Sequence, residues 1–174
     1  SGEHGTRFCV VRYGNVATSR GSVIPFFHEI KNKGTLPITD FRMTRFLINL
    51  SEAVEIVQHA FKEMIGSEIF VKKIPSVKIT DLARAIGPKC SLKEIGMRPG
   101  EKLHEQLISS DESSHTYDFR DYYKVLSPLN EWDTCKRRTK GGTKVKEGFT
   151  YTSDNNSFWL KNNNLRNWLA KIES

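Results

Sequence analysis

A chain of 174 residues has the length of one ordinary domain and can bury most of its apolar surface. Hydrophobic residues make up 37% and charged residues 27%, and no apolar run reaches the roughly 20 residues of a membrane-spanning helix. This excludes a helical span and leads us to expect a soluble cytoplasmic protein with no membrane partner. The net charge of +7 raises a nucleic-acid reading, but the densest basic run, Lys136-Arg-Arg-Thr-Lys140-Gly-Gly-Thr-Lys144-Val-Lys146, carries no interleaved aromatic residues on which bases could stack. We therefore read it as a solvated loop and expect no nucleic-acid partner.

In chain order, the apolar run Phe8 to Val11 shows no polar alternation, as expected of a strand buried on both faces of a parallel sheet. It runs into the polar loop Asn15 to Gly21. Ser22 then opens a helix reaching about residue 32, with Pro25 tolerated in its first turn. Gly34 closes a turn before a short strand from Leu36 to Thr39. Ser51 is a good N-cap for a helix to about Ile65, with Val54, Val57, Phe61 and Met64 at helical spacing on one face. Glu68 to Val71 reads as a strand, and Thr80 or Asp81 caps a helix that Gly87-Pro88 stops. Lys93 to Gly96 and Asp121 to Leu126 are further strands, and Asn164 to Ile172 is a terminal helix with Leu165, Trp168, Leu169 and Ile172 on its apolar side. The alternation of strands and helices implies an α/β fold. Cys9, Cys90 and Cys135 are far apart, with no Cys-x-x-Cys pair, a pattern that suits a reducing compartment. His4, His28, His59 and His115 show no metal-ligand spacing.

Two segments carry chemistry. In Ile95-Gly-Met-Arg98-Pro-Gly-Glu101-Lys-Leu-His104-Glu105, the Pro-Gly pair fixes a turn with Arg98 and Glu101 on its two sides. A guanidinium is well shaped for bidentate contact with phosphate, and the alternative is a structural Arg98–Glu101 pair. In Arg12-Tyr-Gly-Asn15-Val-Ala-Thr-Ser19-Arg20-Gly21-Ser22-Val23, a strand ends in a loop before a helix start, the place where open α/β sheets bind ligands and helix N-termini face anions. Asn15 could also simply satisfy loop backbone groups. Arg42 and Arg45 could reach a phosphate or pair with Asp40. His104 reads as a turn-stabilising histidine.

The stretches RYGNVATSRGSVIPFF (12–27), LPITDFRMTRF (36–46), GSEIFVKKIPSVKITDLARAI (66–86), IGMRPGEKLHEQLIS (95–109) and YTSDNNSFWL (151–160) together resemble the C-terminal half of the inverting UDP-N-acetylglucosamine 4,6-dehydratases of the extended short-chain dehydrogenase/reductase superfamily. Their products enter capsule, O-antigen and flagellin glycans. The resemblance implies the C-terminal part of that α/β fold, comprising the end of a Rossmann-type sheet and the small α/β substrate-binding domain. Residues 1–174 would form a mainly substrate-binding portion, with an irregular basic segment at 127–150 and a tail and helix at 151–174. It also implies NADP as cofactor, with NAD not excluded, UDP-N-acetylglucosamine as substrate and a homo-oligomeric enzyme.

Matched position by position, the resemblance places Asn15 on the substrate at the end of the sheet, Val23 against it on the helix start and Thr39 on its nucleotide side. Arg98 falls on the diphosphate, and Glu101 on ribose or uracil donors. Val16, Ala17, Thr18, Ser19 and Arg20 match the loop beside the cofactor, with Thr18 standing where the family usually has a smaller residue, often Gly. No glycine-rich dinucleotide turn and no Tyr-x-x-x-Lys occurs; the family's catalytic residues lie in an N-terminal dinucleotide-binding portion. No catalytic residue is therefore assigned here, and the chain alone is expected to be inactive. Two other readings are a nucleotide-sugar-binding module completed by a partner chain and a basic nucleic-acid-binding domain.

Overall fold

The computed structural model describes residues 5–128 and 136–173. The elements begin with β1 (Val10–Arg12), β2 (Asn15–Val16), α1 (Val23–Ile30), β3 (Thr35–Ile38), β4 (Thr44–Ile48) and α2 (Leu50–Glu63). They continue through β5 (Ile69–Lys72), β6 (Ser76–Lys78), α3 (Ile79–Ile86), β7 (Ser91–Glu94), β8 (Gln106–Ile108), β9 (Thr116–Asp118) and β10 (Tyr122–Val125). The last are β11 (Thr143–Lys144), β12 (Tyr151–Thr152) and α4 (Asn162–Glu173). The expected α/β class is the class observed. No helix among the described residues is long and apolar enough to cross a membrane.

The chain divides into two compact units. One is made of Ser1–Tyr13, Ser51–Lys73 and Gln106–Tyr151, and the other of Gly14–Leu50, Ile74–Glu105 and Thr152–Ser174. The first holds a five-stranded sheet in the order β1-β5-β10-β9-β11. Its β1 runs parallel to β5, with Val10 opposite Ile69, while β10 is antiparallel to β5 and to β9. Helix α2 lays Ile56 and Ala60 on Phe70 of this sheet.

Three expectations change in this unit. The Phe8–Val11 run is not buried on both faces. β1 ends the sheet with β5 as its neighbour, and Phe8 and Val10 are 66% and 52% exposed because no described layer covers them. On α2 the side turned inward carries the small Ala53 and Ala60 with Ile56, whereas Val54 and Phe61 are exposed. Both rows have three- and four-residue spacing, so periodicity did not separate them, and the small residues win because they let the helix approach the sheet. In the basic run, Arg138 is not solvated. Its guanidinium donates to the Glu68 carboxylate at 2.6 Å and to the Gly66 carbonyl at 2.8 Å. Glu68 is fully buried and also accepts the Ile65 and Gly66 N–H groups, so the guanidinium neutralises a charge that would be costly alone. Lys136, Arg137, Lys140, Lys144 and Lys146 stay exposed. Cys9 and Cys90 are free thiols; Cys135 lies outside the described residues.

The second unit contains the three-stranded order β2-β4-β6 and the parallel pair β3-β7. Parallel pairing sets Asn15 opposite Leu47, and antiparallel pairing sets Phe46 opposite Ser76. Its core gathers Ile24 and Phe27 of α1, Leu36 and Ile38 of β3, Leu82 and Ile86 of α3, and Leu165 and Leu169 of α4. All four expected inward residues of the terminal helix behave alike: Leu165 and Leu169 are buried, and Trp168 and Ile172 pack against the same core. Gly87 ends α3, as expected, its N–H donating to the Ala83 carbonyl.

Candidate functional site

The second unit encloses a cavity of about 520 Å³, a size ordinary for small-molecule sites. One wall begins where the chain leaves Gly14. A Cβ there would fall 2.4 Å from the Phe46 Cβ and 2.6 Å from the Phe46 carbonyl oxygen, so only glycine lets β2 lie this close to β4. That approach fixes Asn15 at the strand end. The loop then turns through Thr18 at φ 64° and Gly21 at φ 77°, closed by the Ser19 N–H on the Val16 carbonyl and the Ser22 N–H on the Ser19 carbonyl.

Ser22 stands at the N-cap of α1 with extended backbone, but its side chain makes no capping hydrogen bond. Its Oγ is buried and has no hydrogen-bond partner among the described residues. Ser22 also lines the cavity. A buried hydroxyl without a partner is costly, and here it sits beside the uncapped N–H groups of a helix start, where negative charge is favoured.

The other walls come from β3, β4 and the 95–101 turn. Pro37 and Thr39 line the cavity at the end of β3. Beyond Thr39 the chain is held by Asp40, whose carboxylate accepts the Arg42 backbone N–H at 2.8 Å and the Arg42 guanidinium at 3.0 and 2.7 Å. The hydrogen bonds from Arg42 lower the Asp40 pKa to about 2. Arg42 is thus committed to structure. From β4, the Arg45 guanidinium donates to the Thr44 carbonyl at 2.7 Å and the Leu103 carbonyl at 3.1 Å, and pairs with Glu105 at 3.4 Å. Burial pulls its pKa down, and Glu105 and Glu101 oppose that pull.

The turn carrying Arg98 is closed reciprocally. The Glu101 N–H donates to the Arg98 carbonyl at 3.1 Å, and the Arg98 N–H donates to Glu101 Oε2 at 3.0 Å, with Gly100 at φ 84° in between. The Glu101 carboxylate therefore fastens the turn through backbone. Among the described residues the exposed Arg98 guanidinium makes no hydrogen bond or ion pair, so it is available to a ligand.

Of the residues singled out from sequence, Asn15, Val16, Ala17, Val23, Thr39, Arg98 and Glu101 line this one cavity. Thr18, Ser19 and Arg20 sit on the exposed loop next to it and are not part of its wall. Sequence reading missed Ser22 as a polar wall residue, together with Phe26 and Glu29 of α1, Pro37 and Ile95. For Arg45 the signal was present: it is one guanidinium in the otherwise uncharged strand Thr-Arg-Phe-Leu-Ile.

Comparison with known proteins agrees with this architecture. The model of the family described as "Polysaccharide biosynthesis protein" matches residues 1–127. A UDP-N-acetylglucosamine 4,6-dehydratase (inverting) of Campylobacter jejuni is 50% identical over 172 residues, covering 95% of this chain and 52% of that protein. A UDP-glucose 4-epimerase of Rickettsia rickettsii is 42% identical over 160 residues, covering 89% of this chain and 46% of that protein. The X-ray structure of Pen from Bacillus thuringiensis superposes with a TM-score of 0.83 at 32% identity, covering 96% of this chain and 51% of that one. The chain spans about half the length of the curated relatives it matches. With a family model covering residues 1–127 and an α/β fold of the extended short-chain dehydrogenase/reductase type, the chain belongs to the polysaccharide biosynthesis protein family.

Proposed function

We propose that the cavity binds a UDP-sugar, UDP-N-acetylglucosamine, and that residues 1–174 serve as the mainly substrate-binding portion of a nucleotide-sugar 4,6-dehydratase that inverts C5 in surface-glycan biosynthesis. The observation that carries this reading is the Arg98 guanidinium, left without a partner among the described residues on a turn that its own backbone and Glu101 hold closed. Arg45, the Ser22 hydroxyl and the N-terminus of α1 line the same cavity, alongside the Glu29 and Glu101 carboxylates, so donor groups suited to an anion converge on one place. A diphosphate supplies the matching charge, and planar guanidinium groups recognise it by paired hydrogen bonds.

In this reading Arg98 and Arg45 hold the diphosphate, with Ser22 and the first N–H groups of α1 on its other side. Asn15 hydrogen-bonds the sugar, Val23 packs against it, and Thr39 and Glu101 meet the nucleoside. Val16 to Arg20 would lie along a nicotinamide dinucleotide, NADP or NAD. The exposed Arg20 guanidinium and Ser19 hydroxyl suit such an anion. When bound, that group supplies hydride acceptance and return; this chain's residues hold and orient the sugar beside it. A dehydratase is favoured over an epimerase by the closer likeness to the Campylobacter protein, 50% against 42%. The working enzyme is proposed to be a cytoplasmic homo-oligomer.

Titration calorimetry with UDP, UMP and uridine tests the reading. Affinity should fall in that order, and the gap between UDP and uridine should shrink as salt is raised. Equal affinity for UDP and uridine would contradict a site organised around the diphosphate.

A further inference from the structure

Next to Arg45, and outside the residues that line the cavity, lies a group of buried polar side chains. Thr44 and Ser153 are 2% and 0% exposed. Their hydroxyl oxygens lie 2.7 Å apart, and the Thr44 hydroxyl is also 2.7 Å from His104 Nδ1. Ser153 Oγ accepts the Glu105 N–H at 2.9 Å and donates toward the Thr44 carbonyl at 3.2 Å. The Ser153 N–H donates to the Glu105 carbonyl, and the Thr44 N–H to the Leu103 carbonyl.

These bonds tie residues 103–105 to the start of β4, and the Arg45 guanidinium is attached to the same two places, the Thr44 and Leu103 carbonyls. The Arg98–Glu101 turn leads directly into that anchor. Buried hydroxyls must find partners, and this pair can be satisfied with its protons in either order. Thr44 donates to a bare Nδ1, or it accepts from a protonated Nδ1 and donates to Ser153.

We propose that His104 is a positioning residue: through Thr44 and Ser153 it sets the spacing of Arg45 and Arg98 across the cavity and so determines how well the site holds a diphosphate. The proposal rests on the anion-binding reading of the cavity. Removing the imidazole frees the Thr44 hydroxyl, loosens the 103–105 anchor and lets the two guanidinium groups drift apart. Of the nucleoside contacts, Thr39 on the wall beyond β3 is untouched, and only Glu101 moves with the turn.

The test uses the full 174-residue chain and its His104→Ala, His104→Asn, Thr44→Val and Thr44→Val/His104→Ala variants, titrated with UDP and with uridine. Asparagine offers a side-chain polar atom where Nδ1 lies. We expect His104→Ala and Thr44→Val each to weaken UDP by about 3- to 10-fold, the double variant to be no worse than either single one, and His104→Asn to restore binding. Uridine affinity, which keeps its Thr39 contact, should fall clearly less than UDP affinity. An unchanged UDP affinity in His104→Ala, an equal loss for uridine, or failure of His104→Asn to rescue a folded protein would overturn the proposal. Amide hydrogen exchange over Arg98 to Glu105 decides it without ligand: protection should be lost in His104→Ala and kept in His104→Asn, and unchanged protection in His104→Ala would overturn it. If the parent chain fails to bind UDP, the functional reading falls, and the exchange result alone decides the relay.

Discussion

At the scale of single residues, the cavity wall depends on backbone that most side chains would not permit. Thr18 is β-branched yet held at φ 64°, a left-handed conformation that disfavours any L side chain by about 1–2 kcal/mol. Glycine would remove that strain and return part of the gain as lost chain entropy on folding. Thr18→Gly should therefore raise stability by a net of about 0.5–1 kcal/mol in urea unfolding; a destabilised variant would mean that the side chain makes contacts outweighing its backbone. Gly14 poses the opposite constraint. A methyl group there would overlap Phe46 at 2.4 Å, so Gly14→Ala should cost about 1–3 kcal/mol and carry Asn15 away from the cavity. A drop in melting temperature together with weaker UDP binding is the expected result, and an unchanged melting temperature would show that β2 can shift without loss.

At the scale of elements, the parts legible in the sequence were those with strong local chemistry. The Pro99-Gly100 turn, the Gly87 stop of α3, the loop before α1 and the terminal helix were all readable, because each is set by residues a few positions apart. What escaped reading depended on partners distant in sequence. Whether Ala53 or Val54 faced inward on α2 was decided by the sheet beneath. That Arg138 would bury itself against Glu68, 70 residues earlier, left no mark in a run of basic residues. Similarly, nothing near Ser22 told that its hydroxyl would be left unpaired, since it had the look of an ordinary cap.

Helix α2 yields a pH prediction. His59 packs on Tyr122 with ring centroids 4.6 Å apart and edge-on to Phe70 at 6.0 Å, its Nε2 buried without a partner among the described residues. Burial lowers its pKa; Lys124, Lys72 and Lys62 add to the lowering, and Glu63 opposes it. The unfolded chain then binds the proton more readily than the folded one, so stability is complete above the ordinary histidine value of about 6.5 and declines as pH falls below it. Urea midpoints between pH 7.5 and 5.5 should fall more steeply for the parent than for His59→Leu. Parallel slopes would show that the imidazole titrates as if exposed.

At the scale of the whole molecule, the site and the chemistry separate. The chain contains a cavity proposed to hold a nucleotide sugar but no Tyr-x-x-x-Lys and no glycine-rich dinucleotide turn. The purified polypeptide alone should therefore give no 4-keto, 6-deoxy product from UDP-N-acetylglucosamine; sustained formation of that product by contaminant-free chain would show that acid/base groups had been overlooked.

Arg98 is proposed to be a ligand group, held ready by its turn and otherwise unengaged among the described residues. Calorimetric titration of UDP into the parent, Arg98→Ala and Arg137→Ala measures it most directly. Arg137 is the proper comparison because it is exposed in the basic run, whereas Arg138 is bound to Glu68. Loss of charge-assisted hydrogen bonds of about 1.5–3 kcal/mol predicts an affinity about 10- to 150-fold weaker for Arg98→Ala, with Arg137→Ala matching the parent. Equal affinities for Arg98→Ala and the parent, with the fold intact by circular dichroism, would contradict the account and leave Arg98 a surface residue of the turn.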